Sequence, residues 1–255
     1  MTASYFPSTS PPTMTIANID RLTVRARLDQ HLRQWLGAWP PKGRAELVIT
    51  EERLRPGWDG SVRPIQGVTG PEGTVLSVTP ELASIFAGVD MDALAEDLFR
   101  ADASRLLSGR LGMPASSGMA VFRWSEAAPE MEQIGECVDA DDSRLPDWLR
   151  PFNGGVVAAF DAESGEYMAG VGLKRHDVFT REISVGTHPD YRGQGLATLL
   201  VAQAARLVIA EGEVPIYQHG EENVASAKVA EAAGFPDRGW HSIWINLQRP
   251  DGRRG

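Results

Sequence analysis

The sequence predicts an α/β protein of the α+β type, and three features carry that expectation. The C-terminal half alternates β-branched and aromatic runs with amphipathic helical segments, in the order three strands, helix, strand, helix, strand. The N-terminal half mixes helical and strand-like spacing between Gly- and Pro-rich turns. Hydrophobic residues make up 42% of the 255 and charged residues 23%, so a sizeable core can form without disulfides or metals.

Residues 1–15 are rich in Ser, Thr and Pro and read as a disordered lead-in. An N-terminal α/β domain is expected over 16–125. Within it Ile19, Leu22, Val24, Leu28, Leu32 and Trp35 keep helical spacing over 18–36, until Trp39-Pro-Pro ends the helix. Strand-like runs follow at 45–49 and 73–78, then a helix over 90–110 (Leu94, Leu98, Leu106, Leu107) and a strand over 120–124. No chemical motif stands in this half. In the C-terminal domain, 126–255, strands are expected at 155–160, 166–174, 181–187, 214–219 and 240–247. One helix runs from Gly195 to about Glu211, and a second starts at Asn223, a good N-cap residue, and ends at Gly234.

Composition narrows the function classes. A single cysteine, Cys137, excludes an internal disulfide and fits a reducing compartment. Five histidines show no metal-binding spacing, so no metal is expected. The net charge is −9 with no basic stripe, which argues against a nucleic-acid partner. The longest apolar stretch, 196–210, is interrupted by Gln203 and Arg206 and is too short to span a membrane. The first residues lack the pattern of a signal peptide, so a cytoplasmic location without a membrane partner is expected. Seven acids fall between Glu130 and Asp147; a solvated connecting face and a field that draws in a cationic acceptor both remain open.

The chemistry concentrates in Val185-Gly-Thr-His-Pro-Asp-Tyr-Arg192-Gly-Gln-Gly-Leu-Ala197-Thr198. Gly193 and Gly195 remove side chains where a backbone must approach a ligand, and they lead into a helix. The first amides of that helix have no intrahelical partner, and with the helix dipole they suit a pyrophosphate. The P-loop is excluded because no lysine follows these glycines, and the GxGxxG fingerprint is not met.

Arg192-Gly-Gln-Gly-Leu-Ala197 fits the pattern Q/R-x-x-G-x-G/A, and the segment resembles the GNAT N-acetyltransferase superfamily over about residues 150–247. The resemblance implies a mixed, mostly antiparallel sheet flanked by helices, with the strands at 181–187 and 214–219 splayed around acetyl-CoA. Val185, Gly186 and Thr187 would pair by backbone with the pantetheine arm. Arg192, Gly193, Gln194, Gly195, Leu196, Ala197 and Thr198 would surround the pyrophosphate, and Asn223 would lie along the same arm. The implied activity is direct acetyl transfer to an amine, carried by a small molecule or a peptide, in a ternary complex. The N-terminal half repeats helix, strands, helix and strand without the glycine motif, which makes it a candidate degenerate copy of the same fold.

Two positions depart from the family pattern. Ala230 stands where many members carry a tyrosine proton donor, and Gln218 where an acid is often found. The acid–base groups must therefore come from elsewhere. Glu182 is the first candidate base, because strand alternation sets it with Ser184 and Gly186, opposite Ile183 and Val185. His219 is the second, as base or donor, and Tyr217 and Tyr191 follow. A non-catalytic acyl-CoA-binding module is the rival reading.

Overall fold

The computed structural model describes residues 22–98, 109 and 115–247. The expected lead-in and the far end of the helix over 90–110 lie outside the described residues. The chain runs α1 (Val24–Leu36), β1 (Ala45–Ile49), β2 (Ile65–Gly70), β3 (Gly73–Val78), α2 (Met91–Leu98), β4 (Ala115–Trp124), β5 (Glu136–Val138), β6 (Val156–Phe160) and β7 (Tyr167–Arg175). It continues through β8 (Thr180–Thr187), α3 (Leu196–Ala210), β9 (Val214–His219), α4 (Val224–Ala232) and β10 (His241–Leu247). Most boundaries fall within a residue or two of the expectation. The strands β2 and β5 were not anticipated: β2 (Ile65-Gln-Gly-Val-Thr-Gly70) has two glycines, and β5 is three residues within the acidic stretch.

All ten strands join one mostly antiparallel sheet in the order β1-β3-β2-β10-β4-β9-β8-β7-β6-β5. Only β1/β3 and β8/β9 are parallel among these pairs. The expected division at residue 125 does not coincide with a break in this sheet. β4, from the N-terminal side, lies between β9 and β10, and β10, from the C-terminal side, pairs with β2. The two halves thus exchange a strand.

The exchange explains how the core is shared. Leu28, Leu32 and Leu36 of α1 pack with Phe122 and Trp124 of β4, Val214 and Ile216 of β9, and Trp240 just before β10. Trp240 is 1% exposed, with its ring 4.6 Å from Trp124 and 5.1 Å from Trp39. On the opposite face, α3 buries Leu200, Val201, Ala204 and Val208 against Val171, Leu173 and Ile183 of β7 and β8. A polar contact adds to the join: His31 Nδ1 of α1 lies 2.6 Å from Asp177 Oδ2 in the β7–β8 turn. Burial acts to raise the Asp177 carboxyl, but His31 and the Phe179 amide hold it below the ordinary carboxylate value. No helix among the described residues is long and apolar enough to cross a membrane.

Because Trp240 bridges residues from both halves, the structure predicts one cooperative unfolding transition by tryptophan fluorescence and circular dichroism. Trp240→Ala should lower the unfolding free energy by about 3–5 kcal/mol without splitting that transition. Independent melting of the N-terminal half would contradict this architecture.

Candidate active site

The glycine turn has the geometry of an anion cradle. After β8 the chain makes a short turn at Pro189–Tyr191, capped by the His188 ring. Gly193 and Gly195 then adopt φ of 79° and 80°, a left-handed conformation that side chains disfavour. A Cβ placed on either would meet nothing within 4 Å, so backbone shape, not packing, requires glycine, and the space above is open. α3 begins with no side-chain cap and no acid in its first turn. Its first i→i−4 bond is Leu199 N–H to Gly195 O, which leaves the amides of Leu196, Ala197 and Thr198 without helical acceptors. Arg192 and Gln194 are exposed beside them, and Arg192 Nε donates to Thr187 O at 3.4 Å.

This cradle adjoins a gap in the sheet. β8 and β9 are paired only from Thr180/Val214 to Ile183/Tyr217. Beyond that point Val185, Gly186 and Thr187 keep partners on β7 but none on β9. The side of β8 facing the gap therefore offers an extended ligand arm a backbone edge that no strand covers. On the far side, Asn223 caps α4 by accepting from Ser226 N–H at 3.0 Å. Tyr217 is buried, its hydroxyl is 2.7 Å from Ser226 Oγ, and burial raises its pKa against the pull of that hydrogen bond. Ala230 is fully buried in the core and has no polar atom to offer. Tyr191 stays in the turn, near the His188 ring.

Where β8 and β9 part, the other face of the sheet opens into a cavity of about 980 Å³. Glu182, Gln218 and His219 line it together with Trp35, Arg53 and Trp58 from the N-terminal half. Glu182 sits on the face expected for it, opposite Ile183 and Val185, which pack beneath α3. Its carboxylate is ion-paired with Lys174, lies 3.2 Å from His176 Nε2, and accepts from Gln218 Nε2 at 2.9 Å. Burial alone would raise this carboxyl, but His176 and Lys174 outweigh burial and push it down to about 2. Glu182 is thus a fixed negative charge at neutral pH. Gln218, which stands where an acid is often found, orients Glu182 and accepts a bond from the Ser242 hydroxyl.

His219 is placed differently. Arg123 Nε donates to its Nε2 at 3.0 Å, so the ring proton sits on Nδ1, 2.9 Å from Gly220 O. Both ring nitrogens are engaged within the protein, and His219 serves as a hydrogen-bonded link between β4 and β9. His176, which sequence patterns did not single out, is the histidine that contacts Glu182 in the cavity lining. A turn histidine carries no motif, and only the pairing of β7 with β8 brings it to Glu182. The same holds for Arg53, Trp58 and Gln66, which reach the cavity through the fold of the N-terminal half.

Nearby aromatics are packing residues: Phe152 lies over Gly172 and stacks on Trp58 at 5.4 Å, and Trp148 lies over Gly186. The acids between Glu130 and Asp147 do not line the cavity, so this stretch is a solvated connection that includes the edge strand β5. Among the described residues no group of three or more His, Cys, Asp or Glu side chains is placed to hold a metal ion.

Residues 119–235 match the model of the acetyltransferase (GNAT) family. A comparison with curated proteins finds no match. Similar solved structures include an acetyltransferase assigned to the GNAT family from Novosphingobium aromaticivorans, at 20% identity and TM-score 0.45. That match covers 51% of this chain and 64% of the other, just short of two thirds of its length. A tandem GNAT protein from the clavulanic acid biosynthesis pathway matches at 14% identity, covering 69% of this chain and 74% of its own, with TM-score 0.44. A GCN5-related N-acetyltransferase-like protein from Streptococcus suis matches at 14% identity over 87% and 99% of the two chains, with TM-score 0.43. The family match holds the glycine turn, the parted strands and Glu182 within one span, and across residues 119–235 this chain carries a domain of the acetyltransferase (GNAT) family.

Proposed function

We propose that the protein is an N-acetyltransferase that uses acetyl-CoA and transfers its acetyl group directly to an amine. One observation carries this reading: the gap between β8 and β9 has the uncapped glycine turn on one side and the Glu182 cavity on the other. A cofactor and an acceptor could therefore meet from opposite sides of the sheet. The residues present fit acetyl-CoA. The free amides of Leu196, Ala197 and Thr198, with Arg192, Gly193, Gln194 and Gly195, suit the pyrophosphate. The backbone of Val185, Gly186 and Thr187, which has no partner on β9, suits the pantetheine arm, with Asn223 across the gap. When bound, acetyl-CoA supplies the activated acetyl thioester.

The remaining chemistry falls to side chains of the cavity. A primary alkyl amine has a pKa near 10 by analogy with lysine and arrives protonated. In this proposal Glu182, ionised at neutral pH, draws in the ammonium group and fixes the His176 tautomer by accepting from Nε2. The free Nδ1 of His176 then takes the proton, directly or through water. A backbone N–H of Val185 or Thr187 would stabilise the developing oxyanion. The Tyr217–Ser226 hydroxyl pair, at the first turn of the helix that carries Ala230, is our candidate donor to the leaving sulfur. The N-terminal half, read as a degenerate copy of the same fold, would cap the acceptor side.

Ala230 and the absence of an acid at Gln218 favour the rival reading of a non-catalytic acyl-CoA-binding module. Acetyl-CoA-dependent release of free thiol across a panel of amines, amino acids and peptides separates the two. Gly195→Glu places a charge and a strained side chain at the anion cradle, and should weaken acetyl-CoA binding by about 100-fold or more in calorimetry. Unchanged affinity in a folded variant would sink the proposed cofactor site. Glu182→Gln should lower kcat by about 10²–10³-fold while acetyl-CoA affinity stays within about twofold. Because the Glu182 carboxyl sits at about 2, the acid limb of the wild-type rate profile should lie well above that pH and should persist, at lower amplitude, in the variant.

A further inference from the structure

The cavity holds a positive charge that the proposed mechanism does not use. Arg53, in the short helical turn Glu51–Leu54 after β1, is 6% exposed and lines the cavity wall. One terminal nitrogen donates to Gln66 Oε1 and the other to Trp35 O, both neutral acceptors. Its Nε is buried with no hydrogen-bond partner. Among the described residues no carboxylate pairs with it. The neighbouring Glu52 is taken by Arg55, Arg63 is held by Asp59, Lys174 by Glu182 and Arg175 by Glu213. Burial pushes the Arg53 guanidinium down to about 10, so it remains charged at neutral pH. A buried cation with a free donor, answered only through space by Glu52 and opposed by Arg63, is costly unless a ligand pairs with it.

We propose that the acceptor is an elongated amino carboxylate, its amine at Glu182 and its carboxylate at Arg53. The proposal rests on the acetyltransferase reading for its amine end. One unmatched positive charge calls for a monoanion, and a phosphate group with charge of about −1.5 to −2 would be under-neutralised.

The length follows from the sheet. Gln66, which holds Arg53, pairs with Trp244; Ser242 pairs with Ala120; Phe122 pairs with Gln218; and Ile216 pairs with Glu182. Directly paired and alternate residues share a face, so Gln66 and Glu182 project from the same side of the sheet. They are separated by four strand steps, β2 to β10, β4, β9 and β8. Four steps of about 4.8 Å, with a shift of two residues in the same direction on each of β10, β4 and β9, set the two positions roughly 28 Å apart, which leaves on the order of 15–20 Å between the charged ends once the side chains reach inward. A free α-amino acid cannot bridge that span, whereas an extended chain of about 12–16 bonds, or a peptide of about four to six residues, can. Trp35, beside Arg53, and Trp58, beside Lys174, also line the cavity with Trp244 and suit an apolar chain.

The test is a series of linear ω-amino carboxylates of about 3 to 18 backbone bonds, each set against its ω-amino amide, with the full-length protein and acetyl-CoA. At about 12–16 bonds the acid should show a KM about 10-fold below that of its amide, and the advantage should vanish for short members. Arg53→Gln should erase the preference for acid over amide, and Arg53→Lys should retain part of it. Equal KM values at every length in the wild type, or a preference for the shortest acids, would overturn the inference. If no amine is acetylated, calorimetry with the same acid–amide pairs decides. Tighter binding of the long acid keeps the carboxylate site while the enzyme reading fails. Equal binding removes the site as well.

Discussion

The insertion of β4 between β9 and β10 is the constraint on which the rest of the molecule depends. Hydrogen bonds of β4 to both neighbours turn what would be two short sheets into one continuous surface. That surface is covered by α1 at its centre, where Trp240, Trp124 and Phe122 meet the leucines of the helix. Beyond the end of α1 the same face is left open, and the cavity forms there with β-strand floor from both halves. A site whose walls run from His31 to Trp244 in sequence needs this shared sheet to hold its geometry. The aromatic cluster supplies rigidity that a pair of loosely docked domains would lack.

Glu182 is the electrostatic centre of the open face. A buried carboxylate is costly unless it is paired and hydrogen-bonded, and here Lys174, His176 and Gln218 meet that requirement together. The pairing comes from ordinary strand register: Lys174 faces Glu182 directly across β7 and β8, while Gln218 follows the last paired position of β9. The same register that ends the β8/β9 ladder therefore also positions the charge at its mouth. The overall acidity of the protein plays no visible part, since the acid-rich stretch lies with β5 at the far edge of the sheet. Local pairing, not net charge, decides what the cavity presents.

How much of this was legible in the sequence varied with the range of the interaction. Local signals served well: the spacing of Leu28 and Leu32 gave a helix, the glycines at 193 and 195 marked a turn into α3, and Asn223 marked the start of α4. Alternation set Glu182 on the face opposite Ile183 and Val185. Long-range pairing was not readable. Nothing in Ala115–Trp124 announces that it will leave its own half, and β2 was hidden by glycines that weaken strand propensity. His219 looked available because its partner Arg123 is 96 residues away, and His176 carried no motif. Arg53 was equally silent, because whether a guanidinium has a counter-charge is a property of the fold and not of its neighbours in the chain.

The rings that lie over Gly172 and Gly186 have a consequence for how such a protein can diversify. A Cβ at either glycine would strike Phe152 or Trp148, at 2.3 and 2.7 Å respectively. The strands beside the site thus delegate part of their surface to side chains lent by the connector at 147–152, a short segment outside the β-ladder. Framework and lining become separable. The framework keeps its hydrogen-bond register whatever the connector carries, while exchange of the connector resurfaces the strands without touching a ladder position. Exchange of this one loop would change the surface of β7 and β8 alone, with the glycines serving as blank tiles on which successive coverings are laid.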